Sequence, residues 1–297
     1  MRYFVTGASG WIGSAATAEL LMAGHQVLGL ARSHEAAARV AALGADVRRG
    51  SLDDAADLRA GAETCDGVLH LAYNHDFSDM PGAARTDAAA IEAFGEVLAG
   101  SGRPLVMASG VLGLAVGRPG VEDDRPDAAV HPRIANADRT VALAEQGVRS
   151  VVVRFAPTVH GTGDHGFVPR LIHVARERGV AAFVGDGTNR WPAVHVLDAA
   201  RLVRLALTDA PAGSVLHAVA DEGVAARDIA AAIGRGLGLP VTSVAAGDAS
   251  EHFGWIGQFF AADCPTSSAR TRTLLGWEPQ QSDLLSDLAQ THYFAGA

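Results

Sequence analysis

Short apolar runs alternate with longer, alanine-rich stretches through the first half of the chain. Arg2–Thr6, Gln26–Ala31, Ala45–Arg49, Gly67–Leu71, Leu105–Ala108 and Ser150–Arg154 have the length and apolar content of strands buried on both faces. Between them, Trp11–Met22, His34–Leu43, Asp54–Ala60, Ala83–Ala99 and Ile134–Gln146 predict helices. Strand and helix in alternation give an α/β fold, a doubly wound parallel sheet with helices on both faces, whose ligands bind beyond the carboxyl ends of the strands. The alternation weakens after Arg154. Phe155–Pro192 is rich in Gly, His and Pro and reads as loops around one helix, Phe167–Arg178. A helix at Val196–Leu207 and a strand at Ser214–Val219 return to the first domain, and Gly223–Ala297 reads as a small helical lobe with few strands. The expected division is therefore residues 1–155, with re-entry near 194–220, and a smaller, mostly helical substrate-binding lobe of 156–193 and 221–297.

Composition narrows the partners. Hydrophobic residues make up 48% and charged residues 19% of 297, ordinary for a soluble globular chain with a sizeable core. The formal net charge of -9 argues against nucleic acid and anionic membranes, which select basic surfaces. No apolar run approaches membrane-spanning length, and a first strand at Arg2 leaves no room for a leader peptide. Cys65 and Cys264 are far apart and lack metal-ligand spacing, so neither a disulfide framework nor a metal is expected, and a reducing cytoplasm fits.

The strongest motif is Thr6-Gly7-Ala8-Ser9-Gly10-Trp11-Ile12-Gly13, which follows a strand and opens a helix. Gly7 permits the tight turn, Gly10 lets backbone approach a pyrophosphate, and Gly13 allows close helix–strand packing. Ser9 lies within the loop, and the free amides near Trp11 and Ile12 face the anion with the helix dipole behind them. This is the dinucleotide loop of a Rossmann fold. At the end of the second strand, where NAD-preferring sites place an acid, the chain has Arg32-Ser33. An arginine and a serine suit a 2′-phosphate, so the expected cofactor is NADP(H).

Further short pieces follow in order. They are Gly50-Ser51-Leu52-Asp53, His70-Leu71-Ala72 before Tyr73, Ser109 after the fifth strand, and Val159-His160-Gly161-Thr162-Gly163-Asp164. Val194-His195-Val196-Leu197-Asp198-Ala199-Ala200 and Leu275-Gly276-Trp277-Glu278-Pro279 complete the series. With the glycine loop, they resemble the short-chain dehydrogenase/reductase superfamily of the extended or atypical, NAD-dependent epimerase/dehydratase-like kind. The resemblance spans nearly the whole chain. It implies that Ser51 and Leu52 line the adenine pocket, that Leu71, Ala72 and Tyr73 lie along the cofactor, that Val159 is near the nicotinamide, and that Ser109 is the catalytic serine. One departure stands out. Members normally carry Tyr-x-x-x-Lys on the helix after that serine, and here the place reads His131-Pro132-Arg133-Ile134-Ala135-Asn136-Ala137, with no tyrosine and no lysine.

Without that tyrosine, the charge developing on a substrate oxygen or nitrogen must be met by other groups. Ser109 can donate a hydrogen bond, and it can equally be the serine of a tight turn. Arg133 can stabilise an oxyanion but is a poor proton donor, and it can equally be a surface residue at a helix start. His75, in the polar loop Tyr73-Asn74-His75-Asp76-Phe77, titrates near neutrality and can supply a proton, with Asp76 orienting it or capping the loop. Tyr73 is expected to pack at the cofactor, because it continues directly from a buried strand. His160, His165 and His195 with Asp164 match no closed zinc spacing and are read as structural or substrate-lining. Trp191 and Trp255 either wall an apolar pocket or pack a core, and Glu122–Asp127 reads as a solvated loop bordering the cleft. The reading is an NADPH-dependent oxidoreductase that reduces a small carbonyl or imine compound. The alternatives are a nucleotide-sugar epimerase or dehydratase and a non-catalytic NADP(H)-binding redox sensor. The alanine-rich helices Ala83–Ala99 and Ile134–Gln146 suggest a homodimer.

Overall fold

The computed structural model describes residues 1–74, 79–126 and 132–295. The strands are β1 (Arg2–Thr6), β2 (Gln26–Ala31), β3 (Asp46–Arg49), β4 (Gly67–His70), β5 (Pro104–Gly110), β6 (Arg149–Phe155), β7 (Thr158–His160), β8 (Ala181–Val184), β9 (Arg190–His195), β10 (Ser214–Ala218), β11 (Asp221–Ala225) and β12 (Val241–Val244). The helices are α1 (Trp11–Met22), α2 (His34–Ala42), α3 (Ala55–Glu63), α4 (Met80–Leu98), α5 (Pro132–Ala142) and α6 (Phe167–Arg178). They continue with α7 (Val196–Thr208), α8 (Ala226–Leu237), α9 (Ala249–Phe253), α10 (Ile256–Phe260), α11 (Ala269–Leu275) and α12 (Leu284–Leu288).

Seven strands form one parallel sheet in the order β10-β6-β5-β4-β1-β2-β3. The chain winds outward from β1 through β2 and β3, then crosses back to β4 on the other side. That reversal between β1 and β4 opens a crevice at the carboxyl ends of the strands. Helices bury both faces. Val5, Leu20, Val153 and Leu202 belong to one core, and Phe4, Leu58, Phe94 and Leu105 to the other. A third core, with Ile172, Trp191, Ile233, Phe253 and Phe260, lies among α6, α8, α9, α10 and β8.

Two local differences from the sequence expectation have physical causes. The fourth helix starts at Met80 rather than Ala83, because Asp79 caps it by accepting from the Gly82 amide and Pro81 fits its first turn. The part outside the large sheet carries more strands than expected: β11-β9-β7 form one small sheet and β12-β8 another. β7 is three residues and β12 is largely exposed, so neither has the apolar run that marks a strand in sequence. Among the described residues, no helix is long and apolar enough to cross a membrane.

Candidate active site

The glycine loop sits at the crevice, between β1 and α1. Gly7 has φ +73, and a Cβ there would fall 2.7 Å from the backbone nitrogen of Ala72, so the loop is moulded against the segment leaving β4. A Cβ at Gly13 would collide with the Gly7 carbonyl. Gly10 caps α1 with no side chain bonded to the first-turn amides, and the first turn carries no acid. The amide dipoles are thus left for an anion. These residues fit a dinucleotide: side chains at Gly7 or Gly13 would collide with the backbone that shapes the loop, and the helix start presents free donors. Trp11 has a second task. Its indole N–H donates to the Val159 carbonyl at 2.7 Å, joining α1 to β7.

At the end of β2, Arg32 is exposed, while Ser33 caps α2 by accepting from the Ala36 amide at 3.1 Å. Ser33 therefore has a structural duty beside the one expected of it. A second arginine, not singled out from sequence, joins this edge. Arg49 donates to the carbonyls of Ala31 (3.2 Å) and Arg32 (3.0 Å), and its Nη1 lies 3.1 Å from His34 Nδ1. Only the pairing of Ala31 with Arg49 across β2 and β3 brings it there. The Ser51 hydroxyl donates to Asp53, whose other oxygen accepts from Thr86, and Leu52 is partly buried against the Phe4 core. Both residues shape the turn after β3.

A buried polar chain starts at the loop and ends at α5. The Thr6 hydroxyl accepts from the Ala72 amide (3.2 Å) and lies 2.7 Å from His70 Nδ1. With Thr6 donating, the imidazole proton sits on Nε2, which meets Asp87 Oδ1 at 3.2 Å. The amide of Asn136 donates to the other Asp87 oxygen and to the Ala84 carbonyl, both at 2.8 Å. Burial pushes the Asp87 carboxyl up, but the His70 hydrogen bond, with Arg133 and Asn136 adding, brings it below its usual range. Arg133 Nε stands 4.0 Å from Asp87, and the guanidinium carbon lies 4.0 Å over the Tyr73 ring. With its side chain only 16% exposed, Arg133 is no surface residue. Burial lowers its pKa, and Asp87 opposes the shift. Sequence reading missed Asp87 and Asn136. The spacing of Arg133 and Asn136, which places them on one helix face, was the available signal.

Ser109 lies within β5 rather than after it, as the last residue but one of the strand, half-buried and in register with Arg154 on β6. Arg154 is buried and donates to the Asp124 carbonyl at 3.0 Å, with its Nη1 3.4 Å from His217 Nε2. His217 Nδ1 faces the Ser267 carbonyl at 2.7 Å, so it carries the proton and leaves Nε2 to accept. Glu122 corrects the expectation of a solvated loop. It is 4% exposed, and its carboxylate accepts from the Thr271 amide (2.8 Å) and hydroxyl (2.7 Å). Those two donors offset the desolvation that a buried carboxylate otherwise suffers.

The histidines are spread among structural duties. His160 is buried with Nδ1 2.7 Å from Asp287 Oδ2. His195 caps α7 by accepting from the Leu197 amide, its ring edge-on to His160 at 5.3 Å. Among the described residues, no group of three or more His, Cys, Asp or Glu side chains is placed to hold a metal. Tyr293 donates to Asp164 at 3.0 Å and accepts from the Gly161 amide, tying the segment after β7 to the C-terminal part of the chain. Trp191 is a core residue, 1% exposed between Phe167 and Phe260, whereas Trp255 keeps 50% of its surface exposed. The last two motifs lock together, with the Trp277 indole donating to the Asp198 carbonyl and the Asp198 carboxylate accepting from the amides of Gln280 and Gln281. His75 lies outside the described residues.

Residues 3–92 and 133–218 match the sequence pattern of the NAD dependent epimerase/dehydratase family. An uncharacterized protein of Schizosaccharomyces pombe is 48% identical over 99% of this chain and 100% of its own length. A 4-hydroxy-2-methyl-3-oxo-4-farnesyl-3,4-dihydroquinoline-1-oxide ketoreductase of Stigmatella aurantiaca is 32% identical over 72% of this chain and 67% of its own. Among solved structures, MoeE5 in complex with UDP-glucose and NAD superposes with a TM-score of 0.75 at 21% identity, covering 98% of this chain and 97% of that one. With the family pattern covering the cradle and six of the seven strands of the large sheet, the chain belongs to the NAD-dependent epimerase/dehydratase family of the extended short-chain dehydrogenase/reductase superfamily.

Proposed function

We propose that the protein is an NADPH-dependent reductase of a small carbonyl or imine compound. The observation that carries this reading is Arg133. A buried cation held beside Asp87 occupies the helix where the family keeps its tyrosine. A guanidinium can stabilise negative charge growing on a carbonyl oxygen, but it is too weak an acid to cycle as a base. Epimerases and dehydratases must first take a proton from a substrate hydroxyl, and an arginine does not do that. The Stigmatella relative, named as a ketoreductase, supports the same direction.

When bound, NADPH supplies hydride to the carbonyl carbon, and a proton must reach the oxygen. Gly7, Ser9, Gly10, Trp11, Ile12 and Gly13 are the proposed pyrophosphate cradle, with Ser51, Leu52, Leu71, Ala72, Tyr73 and Val159 along the cofactor. Arg32, Ser33 and Arg49 gather positive charge and a hydroxyl at the end of β2, which suits a 2′-phosphate better than a ribose hydroxyl. Ser109 orients the carbonyl by donating to it, Arg133 meets the charge on its oxygen, and His75 is the proposed proton source. Two buried free thiols, Cys65 and Cys264, suit a reducing cytoplasm. The alanine-rich α4 and α5 are the proposed homodimer face, and light scattering showing a monomer at micromolar concentration would refute that assembly.

The test is NADPH consumption against a panel of aldehydes, ketones and cyclic imines, with product analysis of UDP-glucose incubated with NAD+ or NADP+ as the epimerase arm. Turnover of a carbonyl or imine is the expected result. Isomerised or dehydrated UDP-glucose would favour the epimerase/dehydratase reading. Tight NADPH binding with no turnover would favour a redox sensor.

A further inference from the structure

The C-terminal end of the chain reaches back to the cofactor loop through one glycine-rich segment. β7 is an edge strand of the β11-β9-β7 sheet, so Val159 and His160 are paired with β9 on one side only. The residues that follow carry two glycines at positive φ, Gly161 (+143) and Gly163 (+92). Backbone of this kind loses much freedom on ordering and has little of its own to hold it in place. The tail supplies the hold. Asp287 Oδ2 lies 2.7 Å from Nδ1 of the buried His160. The Tyr293 hydroxyl accepts from the Gly161 amide at 3.2 Å and donates to Asp164 Oδ2 at 3.0 Å, while Asp164 Oδ1 accepts from the Gly166 amide at 2.6 Å. Burial pushes the Tyr293 phenol up, so it keeps the proton that it donates. The tail is itself seated, with Tyr293 and Phe294 packed on the third core and Arg176 donating to the Phe294 carbonyl at 3.3 Å.

The same segment meets Trp11. The Trp11 indole donates to the Val159 carbonyl at 2.7 Å, its Cζ3 lies 3.5 Å from where a Cβ at Gly163 would stand, and the His165 ring packs edge-on to it at 5.8 Å. Trp11 is also the first residue of α1, in the turn whose free amides face the anion. An anion at a helix start is bound by amides aimed beforehand, and slack in that turn has to be frozen out on binding, at the expense of affinity. We propose that Tyr293 is a positioning residue for the dinucleotide: held between Asp164 and the Gly161 amide, it fixes residues 159–166 against Trp11, and Trp11 in turn fixes the first turn of α1. The role rests on the reading of the glycine loop as the dinucleotide cradle. Through it, the last turn of the chain sets the affinity of a site built at the first.

The experiment is fluorescence titration of the full-length protein with NADPH and with NADH, in the wild type, Tyr293→Phe, Trp11→Phe and the double variant. Tyr293→Phe removes one hydroxyl and strands two partners, so we expect it to weaken dinucleotide binding about tenfold. Trp11→Phe keeps a ring but loses the bond to Val159, and should weaken binding by a similar factor. Because both act through one contact, the double variant should bind within about twofold of the weaker single variant. A tie that served stability alone would leave the affinity of the folded protein unchanged. Asp164→Asn, which takes the negative charge away from the Tyr293 hydroxyl, should shift affinity in the same direction, and it keeps the test decisive if Tyr293→Phe fails to fold. Wild-type affinity in whichever of these two variants folds overturns the role of Tyr293 and leaves the glycine loop as the cofactor site. Single-variant losses that multiply in the double variant overturn the route through Trp11, and the positioning role with it. A wild-type protein that binds neither dinucleotide removes the cradle reading itself, and the role falls with that reading.

Discussion

Arg133 and Ser109 differ in how much their surroundings explain. Arg133 is fastened: Asp87 faces it, Tyr73 lies under it, and Asn136 holds Asp87 from the same helix face. A cation held in that way is preorganised to meet an oxyanion, so Arg133→Met should lower carbonyl turnover by about 100-fold or more, the scale of losing one fixed stabilising group, while cofactor affinity stays close to wild type. Arg133→Lys should recover only part of it, because a point charge does not reproduce a planar guanidinium over a ring. Ser109→Ala should fall by a similar factor. If both variants keep wild-type kcat, the catalytic assignment is wrong. At the other end of the cofactor, Arg32→Asp should weaken NADPH by about tenfold or more and shrink its margin over NADH. Arg49→Ala should act in the same direction, and equal wild-type affinities for the two cofactors in a fluorescence titration would defeat the assignment.

At the scale of elements, the sheet is held to its site by two side-chain chains rather than by backbone alone. One passes from β1 through His70 on β4 to Asp87 on α4 and Asn136 on α5. The other joins Glu122, Arg154, His217 and Thr271 across the ends of β6 and β10. The glycine loop depends on contact rather than charge. Gly13→Val would drive a branched side chain into the Gly7 carbonyl, so we expect it to abolish cofactor binding and to lower the melting temperature. A variant that still binds NADPH within about threefold of wild type in titration would show that the loop can shift aside. The loop was legible in sequence because its function is carried by consecutive residues. The polar chains were not, because the members of each come from separate elements whose order in space differs from their order in the chain.

For the whole molecule, buried histidines tie stability to pH. Burial lowers the pKa of His217, and it lowers that of His195 with the charge of His160 adding. The unfolded chain then takes up protons near pH 6.5 that the folded chain refuses, so their contribution is complete above that value and is lost as pH falls through it towards the lower folded values. Asp164 and Asp221, raised by burial, act in the opposite sense only in the carboxylate range. We therefore expect the melting temperature to be flat between about pH 8 and 7 and to fall between about pH 6.5 and 5.5, with a shallower fall in His217→Gln. A melting temperature that rises across that interval would show that the two histidines are not the controlling groups.

By itself the sequence determined the alternation of strands and helices, the dinucleotide loop, the family and the missing tyrosine, since each is written in local periodicity or in adjacent residues. Only the tertiary structure decided that Arg133 is buried beside Asp87, that Glu122 is not a loop carboxylate in water, that Arg49 joins Arg32, and that Trp191 is core while Trp255 is exposed. Burial and pairing are properties of what lies across space from a side chain. A strand register or a helix crossing brings those neighbours together from distant parts of the chain, and no local pattern records them.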